Sequence, residues 1–138
     1  MLAGVFLKKK AMLSKKNRLV AERDFSKLFA KGKSYSGRGI GMKMVKTPLS
    51  VTRVGFVVST KVSKRAVVRN RIKRRMREAM RAFLPKLSQS GMDIAFMARS
   101  ETVSMEYVDI QRSIQGLLEK SGLVPGALVT GSTKPAAK

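Results

Sequence analysis

KVSKRAVVRNRIKRRMREAMR, residues 61–81, holds ten Lys or Arg and a single acid, Glu78. Wound at the helical period, Val68, Ile72, Met76, Ala79, Met80 and Phe83 fall on one stripe, so the segment reads as an amphipathic helix with that stripe on a core. Asn70, Lys73, Arg74, Arg77 and Arg81 then project from the opposite side, with Arg69 at the edge of the stripe and Arg71 and Arg75 on the other flank. An ordinary solvated face interleaves Glu with Lys, whereas like charges at i,i+4, such as Arg69, Lys73 and Arg77, repel one another. A polyanion removes that repulsion. Arginine prevails along the helix, and its planar fork grips phosphate in two places and stacks on bases, so nucleic acid is the leading partner.

Upstream, VGFVV (54–58) alternates as a strand, preceded by a weaker alternation over 38–47 around Ile40, Met42 and Met44. With the turn TPLS (47–50) between them, the two are expected to pair as a hairpin. Further back, Glu22 and Asp24 suit the positive end of a short helix, which Gly32 closes. Phe25, Leu28 and Phe29 share one face of it; core packing is the ordinary reading of that spacing, and stacking on nucleotides the sharper one.

Downstream, Pro85 closes the basic helix and DIAFMAR (93–99) is an apolar run suited to a buried strand. Ser104 is expected to cap a last helix carrying Tyr107, Ile110, Ile114, Leu117 and Leu118, which Gly122 stops. The order helix, two strands, basic helix, strand, helix predicts one α+β domain, a small mixed sheet covered on one side, with the basic helix as crossover. Residues 1–14 are expected to be a flexible extension, 15–122 the domain and 123–138 a disordered tail; Met12 offers an alternative start.

The 138 residues carry 30 basic and 8 acidic side chains, a formal charge of +22, far beyond what solubility needs. Neither cysteine nor histidine is present, which excludes disulfides, thiolate zinc sites, Cys nucleophiles and His acid–base catalysis. The eight acids show no cluster able to hold two metal ions. No apolar run reaches the roughly 18 residues of a spanning helix, and MLAGVFLKKK (1–10) reverses the order of a secretory signal. A cytoplasmic protein without membrane contact is the expectation.

Taken together, AVVRNRIKRRMRE (66–78), preceded by VGFVVSTKVSK (54–64), NRLVAERDFSKLFAKG (17–32) and followed by DIAFMAR, resembles the protein subunit of bacterial ribonuclease P over about 15–118. That resemblance implies a sheet of about four strands packed by three helices, a layout shared with a ribosomal-protein domain, with the basic helix in a β-α-β crossover of unusual left hand. It implies an endoribonuclease as holoenzyme, removing the 5′ leader from precursor tRNA, with the catalytic RNA subunit carrying the chemistry. Magnesium would be held mainly by the RNA subunit and substrate, and the protein would lower the amount needed. By position, Arg69, Asn70, Arg71, Lys73, Arg74 and Arg77 would bind the RNA subunit. Phe25, Phe29, Lys43 and Lys61 would line the cleft for the leader. Lys43 stands where relatives often carry an aromatic residue, and the loop at 61–65 lacks the usual glycine.

Three rival classes share parts of this pattern. A structural RNA-binding protein, such as a ribosomal component, would explain the charge without any cleavage. A DNA-binding regulator lacks helix-turn-helix spacing and heptads here, and a membrane-surface helix lacks a broad aromatic face.

Overall fold

The computed structural model describes residues 15–88 and 90–124. Helix α1 (Glu22–Lys31) is followed by strands β1 (Lys33–Ser36), β2 (Ile40–Lys46) and β3 (Arg53–Val57). The basic helix α2 (Ala66–Phe83), strand β4 (Met92–Ala98) and helix α3 (Tyr107–Lys120) complete the domain, with short 3-10 turns at Lys15–Asn17, Leu84–Lys86 and Ser100–Ser104.

The four strands lie in the order β1-β2-β4-β3. β4 runs antiparallel to β2, Met42 opposite Phe96, and parallel to β3, Val54 opposite Ile94. The expected β2–β3 hairpin is therefore corrected: the two strands flank β4 and do not pair. The reason lies in composition, since Met92 to Phe96 are all buried, and a strand apolar on both faces gains most at the centre of a sheet. β3, α2 and β4 make the anticipated β-α-β unit. β1 is the fourth strand that the resemblance implied and the residue pattern did not place; KSYS is polar and mostly exposed, as a short edge strand must be to discourage further pairing.

The two faces of the sheet are covered differently. Ile40, Met42, Val54, Ile94 and Phe96 share one core with α2 and α3, including every residue of the apolar stripe on α2. Alternate strand residues face the other way, where Leu28 of α1, Leu19 and Ala95 form a small separate cluster backed by Phe25, Val45 and Met97. Covering on one side only is thus corrected: α1 lies over part of the second face.

Gly32 does end α1, yet at φ −74° it needs no left-handed backbone. A Cβ there would lie 2.5 Å from the carbonyl oxygen of Leu28, so close approach selects glycine. At the other end of the chain Ser104 does not cap α3. Glu106 and Asp109 form a reciprocal capping box, the Glu106 N–H donating to Asp109 Oδ2 at 3.1 Å. Gly122, at φ 83°, turns the chain after α3, and Leu123 and Val124 are buried, which corrects the expected disordered tail for its first two residues. The expectations for 1–14 and for 125–138 lie outside the described residues.

Candidate nucleic-acid interface

With its apolar stripe in the core, α2 presents three strips of polar residues. Asn70 and Arg74 form an exposed crest. On one flank, Arg69 Nη1 donates to the Ser63 carbonyl at 3.0 Å, while Lys73 and Arg77, one and two turns further on, line an open groove. On the other flank Arg71 and Arg75 are half-buried; Arg75 Nη1 reaches the Met105 carbonyl at 3.4 Å, and the buried Arg71 Nε meets no acceptor among the described residues. Arg81, expected to project outward, folds back so that Nη2 donates to Glu78 Oε2 at 2.9 Å. The one acid of the stretch is thereby paired within the helix.

The groove holds about 280 Å³ and runs along the outer edge of β3. Its walls are Phe25 of α1, residues Leu19 and Val20 before that helix, and Lys73 and Arg77 of α2; Arg18 adds a third cation. The backbone at Arg18 bridges Val54 in parallel, with the Leu19 N–H on the Val54 carbonyl at 3.0 Å, so the chain entering α1 adds to the sheet edge and lines the groove.

Phe25 reaches the sheet because Gly55 has no side chain: a Cβ at Gly55 would collide with Phe25 Cζ and Cε1. An isolated glycine inside VGFV is a sequence signal for such close approach, though it does not say which residue approaches. Phe29 stacks next to Phe25, ring centroids 6.2 Å apart at 26°, and is 39% exposed. Leu28, between them in sequence, is fully buried. The shared face expected for these three side chains therefore divides, Leu28 taking the core role and Phe29 an accessible one.

Lys43, on β2, belongs to the same sheet face. Its Nζ donates to the Phe29 carbonyl at 2.9 Å and stands 6.0 Å from the Phe29 ring centroid. There it satisfies a carbonyl of the last turn of α1, at the negative end of the helix. Lys61 stands exposed in the turn after β3, its N–H on Ser59 Oγ at 3.2 Å, and does not line the groove.

Beneath the first turn of α1 lies an ion cluster that the sequence alone does not reveal. Arg53 and Asp93 are register partners on β3 and β4. Arg53 Nε and Nη2 bind Asp93 Oδ1 and Oδ2 at 2.9 and 2.7 Å, a bidentate pair, and Nη1 binds Asp24 Oδ2 of α1 at 3.1 Å. The hydrogen bonds to Asp93 hold the Arg53 pKa above its usual value against the opposing effect of burial. Two of the eight acids are consumed here. Among the described residues no three acids gather as a metal site, and the donor set does not fit a magnesium ion held by the protein.

The arrangement offers cations, two stacked rings and a floor of Val54, Gly55 and Phe56, and among the described residues no Asp or Glu lines the groove. Comparison with known proteins is in keeping with it. A family model described as Ribonuclease P matches residues 13–122. The ribonuclease P protein component of Alkaliphilus oremlandii is 38% identical over 112 residues, spanning 81% of this chain and 96% of its own length. That of Clostridium botulinum strain Loch Maree is 36% identical over 109 residues, 79% of this chain and 97% of its own. Among solved structures, the RNase P protein of Staphylococcus aureus superposes with a TM-score of 0.71 at 28% identity, covering 78% of this chain and 96% of that one. The Thermotoga maritima protein gives 0.67 at 27%, covering 75% and 96%.

Proposed function

Since the chain belongs to the ribonuclease P protein family, with a role in maturing the 5′ end of tRNA beside an RNA subunit, we propose that it binds both that RNA and the precursor's leader and leaves the chemistry to the RNA. The holoenzyme is an endoribonuclease whose substrate is precursor tRNA. Arg69, Arg71, Lys73, Arg74 and Arg77 neutralise phosphates of the RNA subunit, and Asn70 donates a hydrogen bond to it. Phe25 and Phe29 take leader bases by stacking, which tolerates any sequence and contributes about 1–3 kcal/mol per base. Lys43 supports Phe29, and Lys61 meets the leader further along its path.

Phosphates of the leader follow the rings at a distance set by the nucleotide itself. Lys73 and Arg77 line the same groove as Phe25, so a base on the ring brings its phosphate within reach of both cations. That pairing of ring and cations is the observation that carries the reading. Only the precursor has a leader, hence these contacts favour precursor over mature tRNA. Magnesium is held by the RNA subunit and substrate, and the cations of α2 lower the amount required because they replace screening ions along the phosphates.

The test is cleavage of a precursor tRNA by a bacterial ribonuclease P RNA at low magnesium, with no protein, with the wild-type chain and with the Arg69→Ala/Arg74→Ala variant. The expected outcome is cleavage that depends on the protein and weakens in the variant. Binding of the RNA with no effect on cleavage would instead identify a purely structural RNA-binding protein.

A further inference from the structure

Helix α1 carries the two rings, yet little apolar surface fastens it. Among the described residues only Leu28, Leu19 and Ala95 are buried in its cluster, with Phe25, Val45 and Met97 partly buried against them, and it is separate from the main core. Two polar pins add to it, one at each end: Asp24 on Arg53 in the first turn and the Phe29 carbonyl on Lys43 in the last. The N-terminal pin is the more rigid. Arg53 is clamped by both oxygens of Asp93, which is 4% exposed, and a bidentate guanidinium–carboxylate pair fixes a plane as well as a distance. The third guanidinium nitrogen is thereby aimed at α1 before Asp24 arrives.

Helical geometry turns this contact into a control of the rings. Asp24 and Leu28 are four residues apart and share one row; Phe25 and Phe29 make the adjacent row, about 100° round the axis. Holding Asp24 on Arg53 while Leu28 sits in its cluster fixes the rotation of α1. Phe25 is then pressed on Gly55 and Phe29 is left open to solvent.

We infer that Arg53 is a positioning residue for leader recognition, acting through Asp24 to set the rotation and depth of α1 on the sheet and hence the attitude of Phe25 and Phe29. It touches neither RNA nor leader. The inference rests on the leader-stacking reading above and deepens it.

Asp24→Asn is the informative variant, because it weakens the pin while the Arg53–Asp93 clamp stays whole. Holoenzyme is assembled from the full chain and a ribonuclease P RNA, and affinity is measured for a precursor with a leader and for the same tRNA without one. The set comprises wild type, Asp24→Asn, Phe25→Ala, the double variant, and Asp24→Glu as a rescue that keeps the carboxylate. Asp24→Asn is expected to weaken the leader-bearing precursor about tenfold and the leaderless tRNA less than about twofold, with Asp24→Glu recovering most of the loss. In the double variant the two losses should fail to add, since coupled residues share one effect. Additive losses, or equal losses on both substrates, would overturn the positioning role and leave a structural one. No leader effect of Asp24→Asn where Phe25→Ala has one would sink the inference alone. Absence of any leader effect in Phe25→Ala would remove the stacking reading and the inference with it.

Discussion

Glu119 sits near the C-terminal end of α3, where a negative charge opposes the helix dipole. Burial raises its pKa above the usual carboxylate range, and the hydrogen bond from Gln115 at 3.3 Å only partly opposes this. A carboxyl with a raised folded pKa holds its proton more tightly folded than unfolded. Stability is therefore lost as pH rises from the unfolded pKa through the folded one, and stays lost above it. Glu119→Gln should accordingly melt at a higher temperature than the parent at neutral pH, and the two should converge at about pH 3, where both states are protonated. A thermal melt series across that range checks the sign. Gly55 shows the opposite sensitivity, to volume: its missing Cβ is the space that Phe25 occupies.

At the scale of elements, α2 is a helix whose flanks have different neighbours, and its variants should separate accordingly. Arg74 lies on the exposed crest, outside the groove that Lys73 and Arg77 line. Arg74→Ala should flatten the plot of log affinity against log salt for the RNA subunit by about one ion, with little change in preference for a leader. Ile72→Ala acts from the other face: Ile72 is 1% exposed in the main core, and its truncation should destabilise the fold by about 2–5 kcal/mol in denaturant titration. The stripe on α2 was legible in full, since Val68 to Phe83 at helical spacing leave one solution. Strand pairing was not. The short turn between β2 and β3 pointed to a hairpin, because local signals cannot show that a third strand, made much later, takes the place between them. DIAFMAR held the contrary clue in its unbroken apolarity. Of the site, Phe25, Phe29 and the α2 cations were readable from spacing and resemblance. Arg53, Asp93 and Asp24 were not, as their meeting depends on β3 and β4 lying side by side.

For the whole molecule, charge is the dominant fact. Among the described residues ion pairs join Arg53 to Asp24 and Asp93, Arg81 to Glu78 and, at 3.6 Å, Arg38 to Asp109. Against 30 basic side chains these leave a large surplus, whose mutual repulsion opposes the folded state. The free protein should therefore gain stability from added anions, sulfate more than chloride at equal ionic strength, and most from RNA. A ligand that binds only the folded state at a hundred times its Kd adds about 2.7 kcal/mol. Circular dichroism melts in low-salt buffer, with each anion in turn, measure the order.

The strand order has a consequence for synthesis. β4, one of the two central strands, is the last of the four to leave the ribosome, and residues such as Ile40 must wait for Ala98 before they pair. Until then the most cationic segment of the chain has only the β1–β2 pair and the unpaired β3 to pack on. A helix that draws most of its stability from tertiary packing, with like charges along it, stays largely unwound in that interval. The nascent protein thus completes its basic surface only when β4 has been made.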